Sequence, residues 1–131
     1  MKVSVDTNVL VRALVLDDPD QAKRAVDLLA NAKVIAVSLP CFCELVWVLT
    51  RVYKFSVVDI ASAVRALIAS PNVKANRPAV HAGLAVLEAG GDFADGVIAF
   101  EGQWLGGTTF VSFDKAAVTI LSAQGTSATL L

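Results

Sequence analysis

Lys33-Val34-Ile35-Ala36-Val37-Ser38-Leu39-Pro40-Cys41-Phe42-Cys43-Glu44-Leu45-Val46-Trp47-Val48-Leu49 holds both kinds of element of the fold in one stretch. Its first part, residues 33–38, carries β-branched Val34, Ile35 and Val37 and reads as a strand. Pro40 then supplies the fixed backbone of a helix start, so the strand passes at once into a helix bearing Glu44. From Cys41 to Leu49 no other charge occurs, and no Lys or Arg lies between Lys33 and Arg51. A carboxylate held among apolar side chains is costly unless compensated. The expectation is a positive partner for Glu44, brought from elsewhere in the fold or bound as a cation.

Strand and helix patterns alternate on both sides of this stretch. Residues 2–6 read as a strand, 8–15 as a short helix, and Asp18 with Pro19 opens a second helix to about residue 32. Beyond Leu49, Ser56 with Asp59 resembles a capping box for a helix over 57–69. Residues 72–76 form a weak strand, and 78–89 a helix ended by Gly90-Gly91. Residues 92–105 form another helix, ended by Gly106-Gly107. Residues 108–113 read as a strand, Asp114 caps a helix to about residue 122, and 126–131 forms an edge strand. Such alternation predicts a layered α/β domain with a mainly parallel sheet of about five strands.

Composition sets the outer limits. The 131 residues suit one domain, 1–131, with a real core. Hydrophobic residues make up 56% of the chain and its mean hydropathy is +0.65, yet the uncharged stretches are broken by Ser, Gln, Gly or Pro. None reads as a membrane span. The first six residues, Met1-Lys2-Val3-Ser4-Val5-Asp6, lack the apolar run of a secretory signal, so a cytoplasmic location is expected. An apolar excess in so small a chain suggests a covered surface, either a homodimer or a tightly bound partner. The only two cysteines, Cys41 and Cys43, fall on different helix faces, form no local disulfide and read as small core residues. With His81 as the only histidine, and neither CxxC nor HxxxH spacing, a nitrogen- and sulfur-ligated zinc site is excluded. Any metal must be held by oxygen, which favours Mg²⁺ or Mn²⁺.

The acids that can hold it are Asp6, Glu44, Asp95 and Asp114. Asp6 and Asp114 each end a strand, where open α/β sheets place their ligand crevice. Asp95 and Glu44 lie in the first turns of helices. Gathered carboxylates repel one another and resist ionisation, and a divalent cation keeps them charged together. Each acid except Glu44 also has a purely structural reading as a helix cap or first-turn residue. His81 reads as a helix-surface or half-buried residue, and Trp47 and Trp104 as filling the core or an interface. Thr7, Asn8, Asp92 and Ser112 adjoin the acids in sequence and can orient them by hydrogen bonds.

Four strings in order give the chain a resemblance to PIN-domain ribonucleases, in particular the small VapC-like toxins of type II toxin–antitoxin pairs. They are Asp6-Thr7-Asn8, Glu44 after Pro40, Gly91-Asp92-Phe93-Ala94-Asp95-Gly96-Val97-Ile98-Ala99, and Phe110-Val111-Ser112-Phe113-Asp114. The resemblance implies a three-layer α/β/α domain, strand order 3-2-1-4-5, and an acidic pocket binding Mg²⁺ or Mn²⁺. By the same match, Asp6, Glu44, Asp95 and Asp114 form the acidic quartet and Asp92 supports it. The implied activity is a metal-dependent endoribonuclease acting on structured RNA such as tRNA or rRNA. A small antitoxin that covers the pocket is implied as well. Gly96 stands where alanine is common, an expected loosening of the helix start, and Ser112 replaces a frequent threonine.

Charge pulls the other way for an RNA substrate, because a net charge of −1 and a pI near 5.7 do not mark a polyanion binder. Attraction must come from the metal and from a local rim drawn from Arg12, Lys23, Arg24, Arg51, Lys54, Lys74, Arg77 and Lys115. Two other classes fit part of the pattern. A Mg²⁺-dependent phosphatase or phosphoreceiver also ends its first strand in Asp, but the phosphatase type wants an acid where Asn8 stands, and a receiver's central Asp and late-strand Lys find no convincing pair. A catalytically inactive PIN-like partner-binding domain would have no reason to keep all four acids.

Overall fold

Capping side chains fix where the helices begin. Asp6, Asp18, Ser38, Ser56, Asp92 and Asp114 each stand in extended backbone just before a helix. Each accepts a hydrogen bond from a backbone N–H of the first turn, satisfying donors that have no partner inside the helix. The computed structural model describes residues 1–131 and contains seven helices and five short strands. It divides into two compact units, Met1–Asn76 and Arg77–Leu131.

The first unit runs β1 (Lys2–Ser4), α1 (Thr7–Val15), α2 (Pro19–Asn31), β2 (Val34–Ala36), α3 (Leu39–Arg51), α4 (Val57–Ala69) and β3 (Val73–Lys74). Its strands pair in parallel in the order β1-β2-β3, with Val3 opposite Ile35 and Ile35 opposite Val73. Central β2 therefore buries Ile35 completely. Phe42, Leu45 and Leu49 of α3 are also fully buried, along with Val64 of α4; the spacing of the first three is that of one helix face. Helix α1 packs against α2 and α3, and α4 against α3 and β3. The Asn72 amide donates to Leu29 O at 2.9 Å and Ala32 O at 3.0 Å, meeting carbonyls at the C-terminal end of α2 that the helix leaves unpaired.

The second unit runs α5 (Arg77–Glu88), α6 (Phe93–Trp104), β4 (Phe110–Ser112), α7 (Lys115–Ala123) and β5 (Ala128–Leu130). Strands β4 and β5 pair in parallel, with Phe110 opposite Ala128. Val86, Ala99 and Leu121 are buried together, and Phe110, Ile120 and Ala128 pack on them. Glycines bring α5 and α6 close: a Cβ on Gly96 would stand 2.3 Å from the Ala82 carbonyl oxygen, and one on Gly83 2.6 Å from the Phe93 ring. The expectation that Gly96 loosens its helix is therefore corrected. It is buried and permits the helix crossing.

The mixed α/β class and the parallel pairing agree with the sequence reading, and within each unit the neighbours follow the expected order, 3-2-1 and 4-5. The single five-stranded sheet is corrected, because hydrogen bonding divides the strands into a three-stranded and a two-stranded sheet. Segment patterns mark which residues are extended but not which edges join. The core reading of the tryptophans is also corrected: Trp47 is 59% exposed and Trp104 80%. No helix is long and apolar enough to cross a membrane.

Candidate functional site

In the first unit, the turn from β1 into α1 presents Asp6 and the second turn of α3 presents Glu44. Both carboxylates line one pocket of about 340 Å³, with Thr7, Asn8, Ser38 and Cys41 among its other walls. No Lys or Arg lines it. Asp6 caps α1 through Oδ1, which accepts from the Val9 N–H at 3.2 Å. Its second carboxylate oxygen takes no part in the cap.

Glu44 is exposed, and this corrects the premise that it lies among apolar neighbours. Helix geometry separates it from them: Glu44, Trp47 and Arg51 fall on one exposed stripe, while Cys41, Phe42, Leu45 and Leu49 face inward. The carboxylate does not require a partner in order to be tolerated. Its place on the pocket wall, rather than desolvation, is what marks it.

Thr7 is buried, and its hydroxyl donates to Cys41 Sγ at 3.8 Å. That contact ties the start of α1 to α3, so the expected bond from Thr7 to a carboxylate is replaced by one to a thiol. Burial pushes the Cys41 thiol up in pKa; the Thr7 hydrogen bond opposes this, and the Asp6 and Glu44 charges add to it. Carboxylate, amide and hydroxyl oxygens supply the pocket's hard donors. Cys41 reads from sequence as a small core residue, and nothing in its spacing marks it as a pocket wall. Asn8 lies beside Asp6 on the pocket rim.

In the second unit, Asp92 caps α6, its Oδ1 accepting from Ala94 N–H at 3.0 Å. Asp95 is the third residue of that helix and is half-buried. Asp114 caps α7 through Oδ1, accepting from Ala116 N–H at 3.0 Å and Ala117 N–H at 3.2 Å. Ser112 Oγ accepts from the Asp114 N–H at 2.9 Å and so sets the backbone from which that carboxylate projects. Burial raises the Asp95 pKa, and the charges of Asp92 and then Asp114 raise it further. Asp95 thus feels both neighbouring charges. The capping readings of Asp6, Asp92 and Asp114 thus hold, yet each cap uses only Oδ1.

The predicted acids are therefore grouped as Asp6 with Glu44 in one unit and Asp95 with Asp92 and Asp114 in the other. Neither unit brings three potential ligands into a ready-made metal cluster. The donor chemistry nevertheless fits a hard divalent cation: carboxylate oxygens on accessible walls, and like charges whose repulsion a cation would relieve. His81 is exposed on α5 and adds no nitrogen ligand to either group.

A family model described as PIN domain matches residues 3–119. No curated protein matches the chain.

Proposed function

The chain belongs to the PIN-domain family, whose members are generally nucleases, and on that premise we propose that it is a divalent-metal-dependent endoribonuclease and the toxin of a VapC-like toxin–antitoxin pair. Its substrate is structured RNA, tRNA or rRNA. The observation that carries this reading is the pocket in which Asp6 and Glu44, far apart in sequence, share walls without Lys or Arg. Two exposed carboxylates in a pocket without Lys or Arg leave their oxygens open to a bound cation.

Asp6 in the first unit and Asp95 in the second would each be a direct ligand of Mg²⁺ or Mn²⁺, with Glu44 and Asp114 as the supporting acids of their own units. Such an ion supplies Lewis acidity, making water more acidic and neutralising charge on a phosphodiester. The remaining tasks fall to the chain itself. Exposed Asp6 and Glu44 are open to a polymer that could not enter a closed cavity. The caps hold the carboxylates of Asp6, Asp92 and Asp114 at fixed helix starts, so little ordering is left for the moment of binding. Ser112 fixes Asp114, and Thr7 locks the Asp6 turn against α3. Exposed Trp47, Trp104, Leu105 and Phe113 support a protein partner, an antitoxin or a second copy of the chain.

The test is incubation of the purified protein with total RNA, with Mg²⁺ or with excess chelator, and mapping of the new ends. Discrete cuts that require Mg²⁺, and that vanish in Asp6→Asn and Asp95→Asn, are expected. Full activity in either variant removes that residue from the site, and no cleavage under any condition favours an inert partner-binding domain.

A further inference from the structure

A second groove opens beside the acidic pocket and shares Asp6 and Asn8 with it. Its volume is about 380 Å³, and it lies between α1 and α2, with Val9, Ala25 and Leu28 offering apolar wall and Arg12 and Arg24 offering charge. We propose that this groove is a nucleotide subsite, holding one nucleotide of an RNA strand next to the phosphodiester at Asp6, with Arg12 as the residue that positions its phosphate. The inference rests on the nuclease reading for what lies at Asp6, and on the groove itself for the rest.

Arg12 is held in place before any ligand arrives. Its Nη1 donates to Asp17 Oδ1 at 2.6 Å, and the Tyr53 hydroxyl donates to the other oxygen of Asp17 at 3.2 Å. Tyr53 follows the end of α3, so Asp17, the anchor of the guanidinium, is itself held from a second element. A guanidinium carries five N–H donors in a planar fork; Asp17 takes one and cannot exhaust them. Because the fork is planar and fixed, it suits the paired oxygens of a phosphate better than a mobile ammonium would. Arg24 adds a second, looser charge: its Nη2 meets Asp20 at 2.8 Å, with most of the side chain exposed.

Continuity with the acidic pocket selects the occupant. A ligand filling both spaces must present something for a cation at Asp6, an anion for Arg12, and a body of apolar faces between, which is the repeating chemistry of a nucleic-acid strand. The groove walls hold no aromatic side chain, so the subsite grips backbone and accepts any base.

The experiment is fluorescence titration of the full chain with a labelled single-stranded RNA oligonucleotide in chelator, where nothing is cut, repeated over a range of NaCl concentrations. Wild type, Arg12→Ala, Arg24→Ala and Asp17→Asn are compared, with melting curves for each. Loss of a charge-assisted phosphate contact weakens Arg12→Ala binding about tenfold and makes the plot of log K against log salt shallower by about 0.7. Arg24→Ala shows a smaller loss of the same kind. Should Arg12→Ala fail to fold, exposed Arg24 decides by the same two readouts. Unchanged affinity and salt slope in both arginine variants overturn the subsite, and do so equally if those variants lose a protein partner instead. If the RNA effects appear but Mg²⁺ produces no cleavage, the subsite stands and the nuclease reading falls. A wild-type chain that binds no RNA in chelator overturns the subsite, and Mg²⁺-dependent cleavage then judges the nuclease reading separately.

Discussion

Asp6 carries two duties that substitution can separate. One oxygen caps α1, and the charge lines the acidic pocket. Asparagine caps a helix about as well as aspartate, while alanine at such a position costs about 1 kcal/mol. Asp6→Asn should therefore melt like wild type and lose metal-dependent cleavage, whereas Asp6→Ala should lose both; equal melting of the two variants would mean the cap contributes nothing. Asp95 runs in the opposite direction. Its folded pKa is raised, first by burial and then by Asp92 and Asp114, so between its unfolded and folded pKa values the native chain binds more protons than the unfolded one. Stability then falls as pH rises through that window and is recovered on acidification. Asp95→Asn should be more stable than wild type at neutral pH, with a flatter pH dependence, and inactive. A melting point that drops at neutral pH would show that the charge is already compensated. Asp17, whose pKa is lowered chiefly by the Arg12 hydrogen bond, has the reverse sign: its contribution is lost as pH falls through its folded value.

At the level of elements, helix starts were the most legible part of the sequence, because a capping side chain announces its own partner a few residues on. Asp18-Pro19, Ser56 with Asp59, and Asp114 all cap where the sequence puts them. The first turn of α6 likewise keeps Asp92 as cap and Asp95 as third residue. Strand extents were less legible: residues 2–6, 33–38 and 108–113 shrink to Lys2–Ser4, Val34–Ala36 and Phe110–Ser112. The apolar pattern continues past the last ladder bond. Glu44 departs from its expected burial for a related reason. A charge-free run looks uniformly buried when counted along the chain, but a turn of about 100° per residue takes Glu44 and Trp47 to the outside. Gly96 was illegible, since its role is an α5 backbone distant in the chain. Gly96→Ala drives a Cβ into the Ala82 carbonyl and should destabilise by about 1–3 kcal/mol, despite the better helix propensity of alanine. Denaturant melts check this, and a stabilised variant would show that α5 and α6 can move apart freely.

For the molecule as a whole, the family match spans residues 3–119 and so runs across both compact units. The acids are divided between them, Asp6 and Glu44 in one, Asp95 and Asp114 in the other. A cation bound at either group of acids stabilises the folded unit that holds it by mass action, about 2.7 kcal/mol at one hundred times its Kd. The decisive measurement is Mn²⁺ titration, followed by electron paramagnetic resonance, of wild type, Asp6→Asn, Asp95→Asn and the double variant. The account predicts Mn²⁺ binding in wild type that each single substitution weakens at the acids of its own unit and that the double variant weakens most. A wild-type chain without a Mn²⁺ site, or single variants that bind Mn²⁺ as wild type does, would contradict it.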